Sequence, residues 1–324
     1  MELSISRANR FRDCPRNYFW HYIARLRPAQ APWLKFGSAI DSLLEVYDSY
    51  GLQAAIEAIK TYELTDYESA EATFMLTAYS KLESMPTATI KTNEGFVSGN
   101  HFKFNVKFTG DEVSDNTFNI IGEFDKLAKT EGIPKIVERK TTNDAIEPNS
   151  AYWKKLSLNP QICAYAWIGN KLFGSYPKIV YEVLRKPHGV ARKPFIKEVK
   201  GNKLLPQEWL QALLEVVDAP PVTMVARHEF SVDEEAINNF ISTHAEVHEL
   251  IERYMVKSDV LTKKEIHQKY AWPINTNSCD NYGGCPYRAD CEGKCSAEQM
   301  ETLTVADSSR ETSSASESKV STGH

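Results

Sequence analysis

Three strand-like runs follow one another between residues 102 and 140, and ionisable side chains are set into the last two. Phe102-Lys-Phe-Asn-Val-Lys-Phe108 alternates apolar and polar residues, the period of a half-buried strand. Asn119-Ile-Ile-Gly-Glu-Phe-Asp-Lys-Leu-Ala128 reads as a second strand and, after the turn-like Glu131-Gly-Ile-Pro134, Lys135-Ile-Val-Glu-Arg-Lys140 as a third. Asp125 falls near the end of the second strand. Glu138 and Lys140, two residues apart, point to one face of the third. Two carboxylates and a lysine among Ile, Val and Phe are costly to bury unless they meet a metal or one another. Carboxylate oxygens are hard ligands suited to Mg²⁺ or Mn²⁺. A lysine beside them can orient a water or stabilise charge on a phosphate, which makes a workable phosphodiesterase site. From spacing alone, an ordinary ion pair on a solvated strand face stands beside that reading.

Around this meander the pattern is largely helical. Residues 1–50 read as mostly helix, with Ser4 and Ser6 as capping candidates, and a second amphipathic helix begins at Phe36-Gly37. Helical spacing continues over 51–85, and one helix is expected over 150–170. Lys178-Ile-Val-Tyr-Glu-Val-Leu184 is a further strand, and 206–217 and 231–257 read as helices. Residues 272–295 are rich in Asn, Gly and Cys and suit no regular element. From Thr304 the chain is Ser/Thr-rich and lacks large apolar residues, so a disordered tail is expected over 304–324. Of the 324 residues, 42% are hydrophobic and 25% charged, ordinary globular values that exclude a collagen-like or mainly disordered chain. One α/β domain over 1–303, with a mixed central sheet flanked by helices, is the simplest reading.

A set of short motifs, in order, resembles the RecB-like branch of the PD-(D/E)XK nucleases, to which CRISPR-associated iron–sulfur exonucleases belong. The opening S-x-S-x-x-x-x-F-x-x-C-P is matched by Ser4, Ser6, Phe11, Cys14 and Pro15. A Gly-x-x-x-His/Asp helix start is matched by Gly37 and Asp41, a G-x-x-D strand by Gly122 and Asp125, and an E-x-K strand by Glu138 and Lys140. A Q-x-x-x-Y helix is matched by Gln161 and Tyr165. The resemblance implies a restriction-endonuclease-like core and metal-dependent hydrolysis of DNA, with single strands or DNA ends as substrate, in recombination, repair or replication. By the resemblance, Asp125 and Glu138 hold the Mg²⁺ or Mn²⁺, the Arg139 backbone carbonyl adds a ligand, Lys140 is catalytic, and Gln161 and Tyr165 position the DNA. Asp41 stands where the family usually has His. It serves either as a third carboxylate ligand or as an aspartate favourable to the helix dipole. A non-cleaving DNA-binding or assembly module that keeps the fold is the rival reading.

Four of the six cysteines lie in Cys279-x5-Cys285-x5-Cys291-x3-Cys295, which lacks the paired C-x-x-C knuckles of zinc ribbons. The iron–sulfur members of the resembled family place one cysteine near the N-terminus and three near the C-terminus. By that resemblance Cys14, Cys279, Cys285 and Cys291 hold a [4Fe–4S] cluster, in a lobe joining Cys14 to 272–295. A zinc site of Cys279, Cys285, Cys291 and Cys295, in a protein of unrelated fold, is the alternative. Cys163, in an apolar helix, reads as core.

Net charge is −5, so nucleic-acid contact must come from a local patch. Lys107, Lys126, Arg139, Lys154, Lys155, Arg185, Lys186 and Arg192 are groove candidates, and Tyr152 and Trp153 are candidates to stack bases. Solvated charges and core aromatics are the plainer alternatives. There is no G-x-x-x-x-G-K-[ST], so a helicase or recombination partner would supply any motor. No apolar run reaches the roughly 18 residues of a membrane helix, and the first residues do not read as a secretory signal. A cytoplasmic or nucleoid location is expected.

Overall fold

The computed structural model describes residues 2–26, 32–83, 85–92, 95–98, 100–109, 117–187, 206–217, 223–261, 271–280 and 284–291. The expected tail, Arg192 and Cys295 lie outside them. The chain divides into two compact units, one of Met1–Ile5 with Ala31–Thr243 and one of Ser6–Gln30 with His244–His324.

The first unit is built on a mixed six-stranded sheet. Its strands are β1 (Glu2–Ser4), β4 (Asn100–Thr109), β5 (Thr117–Thr130), β6 (Ile133–Thr142), β7 (Lys178–Arg185) and β8 (Val225–Phe230). A separate hairpin pairs β2 (Thr89–Thr92) with β3 (Gly95–Ser98). β5 carries β4 antiparallel along one edge. Its other edge is shared by β1, parallel at 119–121, and β6, antiparallel at 126–130. Residues 122–125 on that edge therefore pair with neither strand. β6 and β7 run parallel, joined through helices α5 (Ala151–Leu156) and α6 (Pro160–Phe173). The single helix expected over 150–170 is interrupted because Pro160 has no N–H and disfavours helix at the residue before it. Asn159 instead caps α6, its Oδ1 accepting from the Gln161 N–H at 2.9 Å.

Helices cover both sheet faces. Phe36, Ile40, Leu43 and Leu44 of α3 (Pro32–Ala58) pack with Phe74 and Met75 of α4 (Asp66–Ser80). Leu213 of α7 (Pro206–Val217) and Leu184 of β7 complete this core. α3 turns sharply at Gly51, whose φ of 83° favours glycine. α6 packs on the opposite face: Gly169 lies against Ile136 and Pro177, Tyr165 meets Phe124 edge-on, and Trp167 meets Phe108. Trp153, a base-stacking candidate, is buried, donates to the Ile146 carbonyl at 3.0 Å and stacks on His228, so it belongs to the core.

In the second unit, α1 (Ile5–Asp13, from Ser6 onward), α2 (Pro15–Tyr18) and the π-turn Phe19–Ile23 meet the C-terminal segment. Trp272 is fully buried among Phe11, Tyr18, Phe19 and Tyr254, the last from α8 (Glu234–Leu261). Arg16 ties the segments further: its side chain donates to the Trp272 carbonyl at 2.7 Å and its backbone N–H to the Pro273 carbonyl at 3.1 Å.

Candidate active site

The two halves of β5 have opposite parity. Phe118 and Phe124 face α6, through Phe108 and Trp167 and through Tyr165. Lys126 faces α3, where its ammonium meets Asp48 at 3.0 Å. Even-numbered residues thus change face at Asp125, as at a bulge. Opposite it His101 adopts a left-handed φ of 56°, between the β4–β5 pairs Asn100↔Lys126 and Phe102↔Phe124. Just upstream, a Cβ at Gly122 would lie 2.5 Å from the Phe104 ring, so glycine lets that ring lie against β5. Asp125 is accordingly inside the strand at an irregularity, not at its end as the sequence pattern suggests.

Where β5 and β6 separate, side chains take over the work of the ladder. Asp125 Oδ2 accepts the Arg139 backbone N–H at 2.7 Å, and the Tyr165 hydroxyl donates to the Glu123 carbonyl at 3.1 Å. Glu138, with a side chain only 4% exposed, lies in the same opening. One of its oxygens is paired with the Lys140 ammonium and accepts from Gln161 Nε2 at 3.0 Å. The other lies 2.9 Å from the Tyr165 hydroxyl. Gln161 Nε2 also reaches Tyr165 at 2.7 Å, and Tyr181 donates to Gln161 Oε1 at 3.4 Å. The structure therefore brings Asp125, Glu138, Lys140, Gln161 and Tyr165 together, and the last two hold Glu138.

α3 supplies a row of carboxylates at Asp41, Glu45 and Asp48, one face of a helix. Asp41 lies within the electrostatic reach of Lys140, Glu138 and Asp125. Glu45 and Glu123 flank His101 at 3.0 and 2.9 Å. Asp48 pairs with the Arg139 guanidinium as well as with Lys126. Burial raises the carboxyl pKa of Asp41, with His101 and then Lys140 opposing. Burial pushes Asp125 up to about 8. Glu138 and Asp41 add to that rise, while the Arg139 N–H and Lys140 oppose it. Burial works against the Lys140 ammonium, but Glu138, Asp125 and Asp41 outweigh it and hold its pKa above the ordinary lysine value.

On the other sheet face the Arg139 side chain enters a buried ionic network that sequence reading missed. Glu182 Oε2 accepts from the Tyr79 hydroxyl at 2.5 Å and lies 3.6 Å from Arg139 Nε. Its Oε1 accepts from Arg227 at 3.0 and 2.5 Å. Arg139 and Lys126, both groove candidates, are enclosed here. The available signals were one charge inside the apolar run Ile179-Val-Tyr-Glu-Val-Leu184 and the i, i+4, i+7 spacing of Asp41, Glu45 and Asp48.

In the second unit, Cys14, Cys279, Cys285 and Cys291 are all free thiols. Cys14 Sγ accepts from the Asn275 N–H at 3.4 Å, and Cys285 Sγ from Asn17 Nδ2 at 3.6 Å. Burial raises the Cys285 and Cys291 pKa values. Cys14 and Cys279 add to the rise at Cys285, and Cys285 and Cys14 to that at Cys291. Among the described residues no group of three or more His, Cys, Asp or Glu stands close enough to hold a metal ion, at these thiols or at the carboxylates.

The fold is a mixed sheet flanked by helices, with the acidic residues of the site where two central strands part. The model of the PD-(D/E)XK nuclease superfamily matches residues 2–292, and the chain belongs to that superfamily, whose members are typically metal-dependent nucleases. No curated protein matches the chain. Among solved structures, one described as "Crystal structure of SSO0001" is similar at 13% identity and a TM-score of 0.34, covering 91% of this chain and 87% of that chain. A likeness of that depth carries no functional argument. Among the described residues no helix is long and apolar enough to cross a membrane.

Proposed function

We propose that this chain is a RecB-like deoxyribonuclease that hydrolyses phosphodiester bonds in single-stranded DNA or at DNA ends, with Mg²⁺ or Mn²⁺ at Asp125, Glu138 and Asp41. The observation that carries this reading is the pair of buried carboxylates at the opening between β5 and β6. Asp125 is favoured in its protonated form, and Glu138 is matched by Lys140, so a proton and an ammonium now offset charge that a divalent cation would take over. The donors are hard oxygens, which suits such an ion. When bound, it would acidify a water and offset charge on the phosphate. The protein's own contribution is orientation. Tyr165 and Gln161 hold Glu138 against rotation, and the Arg139 N–H holds Asp125. Lys140, with a side chain 39% exposed and its ammonium on Glu138, is the cation placed to orient the attacking water or meet the phosphate. Incubating the protein with end-labelled and circular single strands tests the reading. Cleavage with Mn²⁺ or Mg²⁺ that a chelator abolishes is expected, and binding without cleavage under every metal would favour the assembly-module reading.

The raised Asp125 pKa has a consequence for stability. The folded chain holds a proton on Asp125 that the unfolded chain releases near pH 4. That contribution is present below about pH 4 and lost as pH rises through about 8. The metal-free protein should therefore melt lower at about pH 8.5 than at about pH 6, and Mn²⁺ should raise the melting temperature more at the higher pH. Asp125→Asn should remove both effects. A Mn²⁺ response that is the same at both pH values and in the variant would count against Asp125 as a ligand.

We further propose a [4Fe–4S] cluster held by Cys14, Cys279, Cys285 and Cys291. All four lie in one unit, and binding the cluster would have to draw their sulfurs closer than they stand here, since no three of them are grouped at metal-holding distance. Protein purified without oxygen should be brown. Cys14→Ala should bleach it as completely as Cys285→Ala, while Cys295→Ala leaves the colour. A colourless protein with stoichiometric zinc, indifferent to Cys14→Ala, would contradict the cluster and leave the nuclease reading intact.

A further inference from the structure

Beside the carboxylates, within the first unit, is a cavity of about 430 Å³ between the first turns of α3 and the ends of β6 and β7. Asp41 and Lys140 line it, so it opens directly onto the candidate active site. The rest of its wall has two characters. Leu34, 53% exposed, gives it an apolar wall on one side, and the buried core residues Ile40, Leu44 and Leu184 close it from beneath. Ser38, Thr141 and Lys186 bring two hydroxyls and an ammonium to the other side. Gly37 lies beside the Thr141 hydroxyl: a Cβ there would stand 3.5 Å from Thr141 Oγ1, an ordinary contact.

Lys186 stands out among the cations of this region. Lys140 is paired with Glu138, and Arg185 turns away to Glu147 at 3.0 Å. Among the described residues Lys186 makes no ion pair. Its backbone N–H is anchored on the Thr142 carbonyl at 2.7 Å, and its ammonium lies 5.6 Å from the centre of the Phe36 ring. Burial lowers its pKa, with the field of Glu71 opposing, and an anion in the cavity would offset that cost. The volume is at the small end of ligand pockets, about 300–1,000 Å³, which suits one nucleotide and not a base pair.

We propose that this cleft is a nucleotide subsite. The nucleotide next to the phosphodiester under attack lies in it, with its phosphate on Lys186, Ser38 and Thr141 and its sugar and base against Leu34. The proposal rests on the nuclease reading for what happens beside the cleft, but its binding chemistry does not require cleavage. It predicts a preference for single strands, because a paired base would bring a second chain to a cavity sized for one nucleotide.

The test is binding of a fluorescent oligodeoxythymidylate in the presence of a chelator, so that no strand is cut. Lys186→Ala should raise Kd about tenfold, the loss of one charge-assisted contact. It should also flatten the dependence of log K on log salt by about 0.7, one phosphate on a single strand. Lys186→Arg should keep both near wild type. Ser38→Trp, at an exposed helix position, should fill the mouth of the cleft and weaken binding at least as much, so a folding defect in one variant does not decide the matter. Wild-type Kd and salt slope in both Lys186→Ala and Ser38→Trp would overturn the proposal, as would tighter binding of a duplex of the same length or no binding by the wild type. If the variants behave as expected but no metal supports cleavage, the subsite stands and the nuclease reading falls.

Discussion

Glu138→Gln should lower the single-turnover rate of DNA cleavage by at least about a hundredfold to a thousandfold, the scale of losing a group that stabilises developing charge. The side chain is almost fully enclosed and both its oxygens face donors, Lys140 and Gln161 on one and Tyr165 on the other. Glutamine keeps the shape but replaces one acceptor with an amide that must face one of those donors, and it removes the charge that would hold a cation. Asp125→Asn should fall by a similar amount. Lys140→Ala should lose most of the rate while still binding metal, because it removes the ammonium and leaves the carboxylates. Thermal melts of each variant separate a lost reaction from a lost fold. Cleavage at the wild-type rate by Lys140→Ala would refute the role given to that lysine.

Glu182→Ala should be the most destabilising single change on the far face of the sheet, by about 3–5 kcal/mol. Its carboxylate serves Tyr79, Arg139 and Arg227 from three different elements, and removing it leaves the part-buried Arg227 without its ion-pair partner and the buried Arg139 with Asp48 alone. At about 2–4 °C per kcal/mol for a unit of this size, the melting temperature should drop by on the order of 10 °C. The partly exposed Lys135–Glu229 pair on the same sheet is the control: Lys135→Ala should cost less than about 1 kcal/mol. An equal, small loss in both variants would mean that the network is not the clamp it looks to be.

The central meander was legible because β4, β5 and β6 have clear strand patterns and Glu-x-Lys has the strand period. α7 was legible from its amphipathic spacing over 206–217. β1 was not, because three residues have no period, and Glu2–Ser4 becomes a strand only by pairing with β5. β8 was missed for a related reason. Val225-Ala-Arg-His-Glu-Phe230 does not alternate, and its identity comes from β7 beside it. At the site, the convergence of Asp125, Glu138, Lys140, Gln161 and Tyr165 followed from motif order. The parity change at Asp125 did not, since it depends on His101 across the ladder. Nor did the ionic network, whose members come from α3, α4, β5, β6, β7 and β8.

Manganese binding tests the central claim most directly. Mn²⁺ titrated into the purified protein and followed by electron paramagnetic resonance should bind stoichiometrically to wild type and to Lys140→Ala. Binding should be lost in Glu138→Gln and Asp125→Asn, with DNA cleavage present in wild type alone. Binding that is undiminished in both carboxylate variants, or cleavage that persists in them, would contradict a metal-dependent nuclease centred on Asp125 and Glu138.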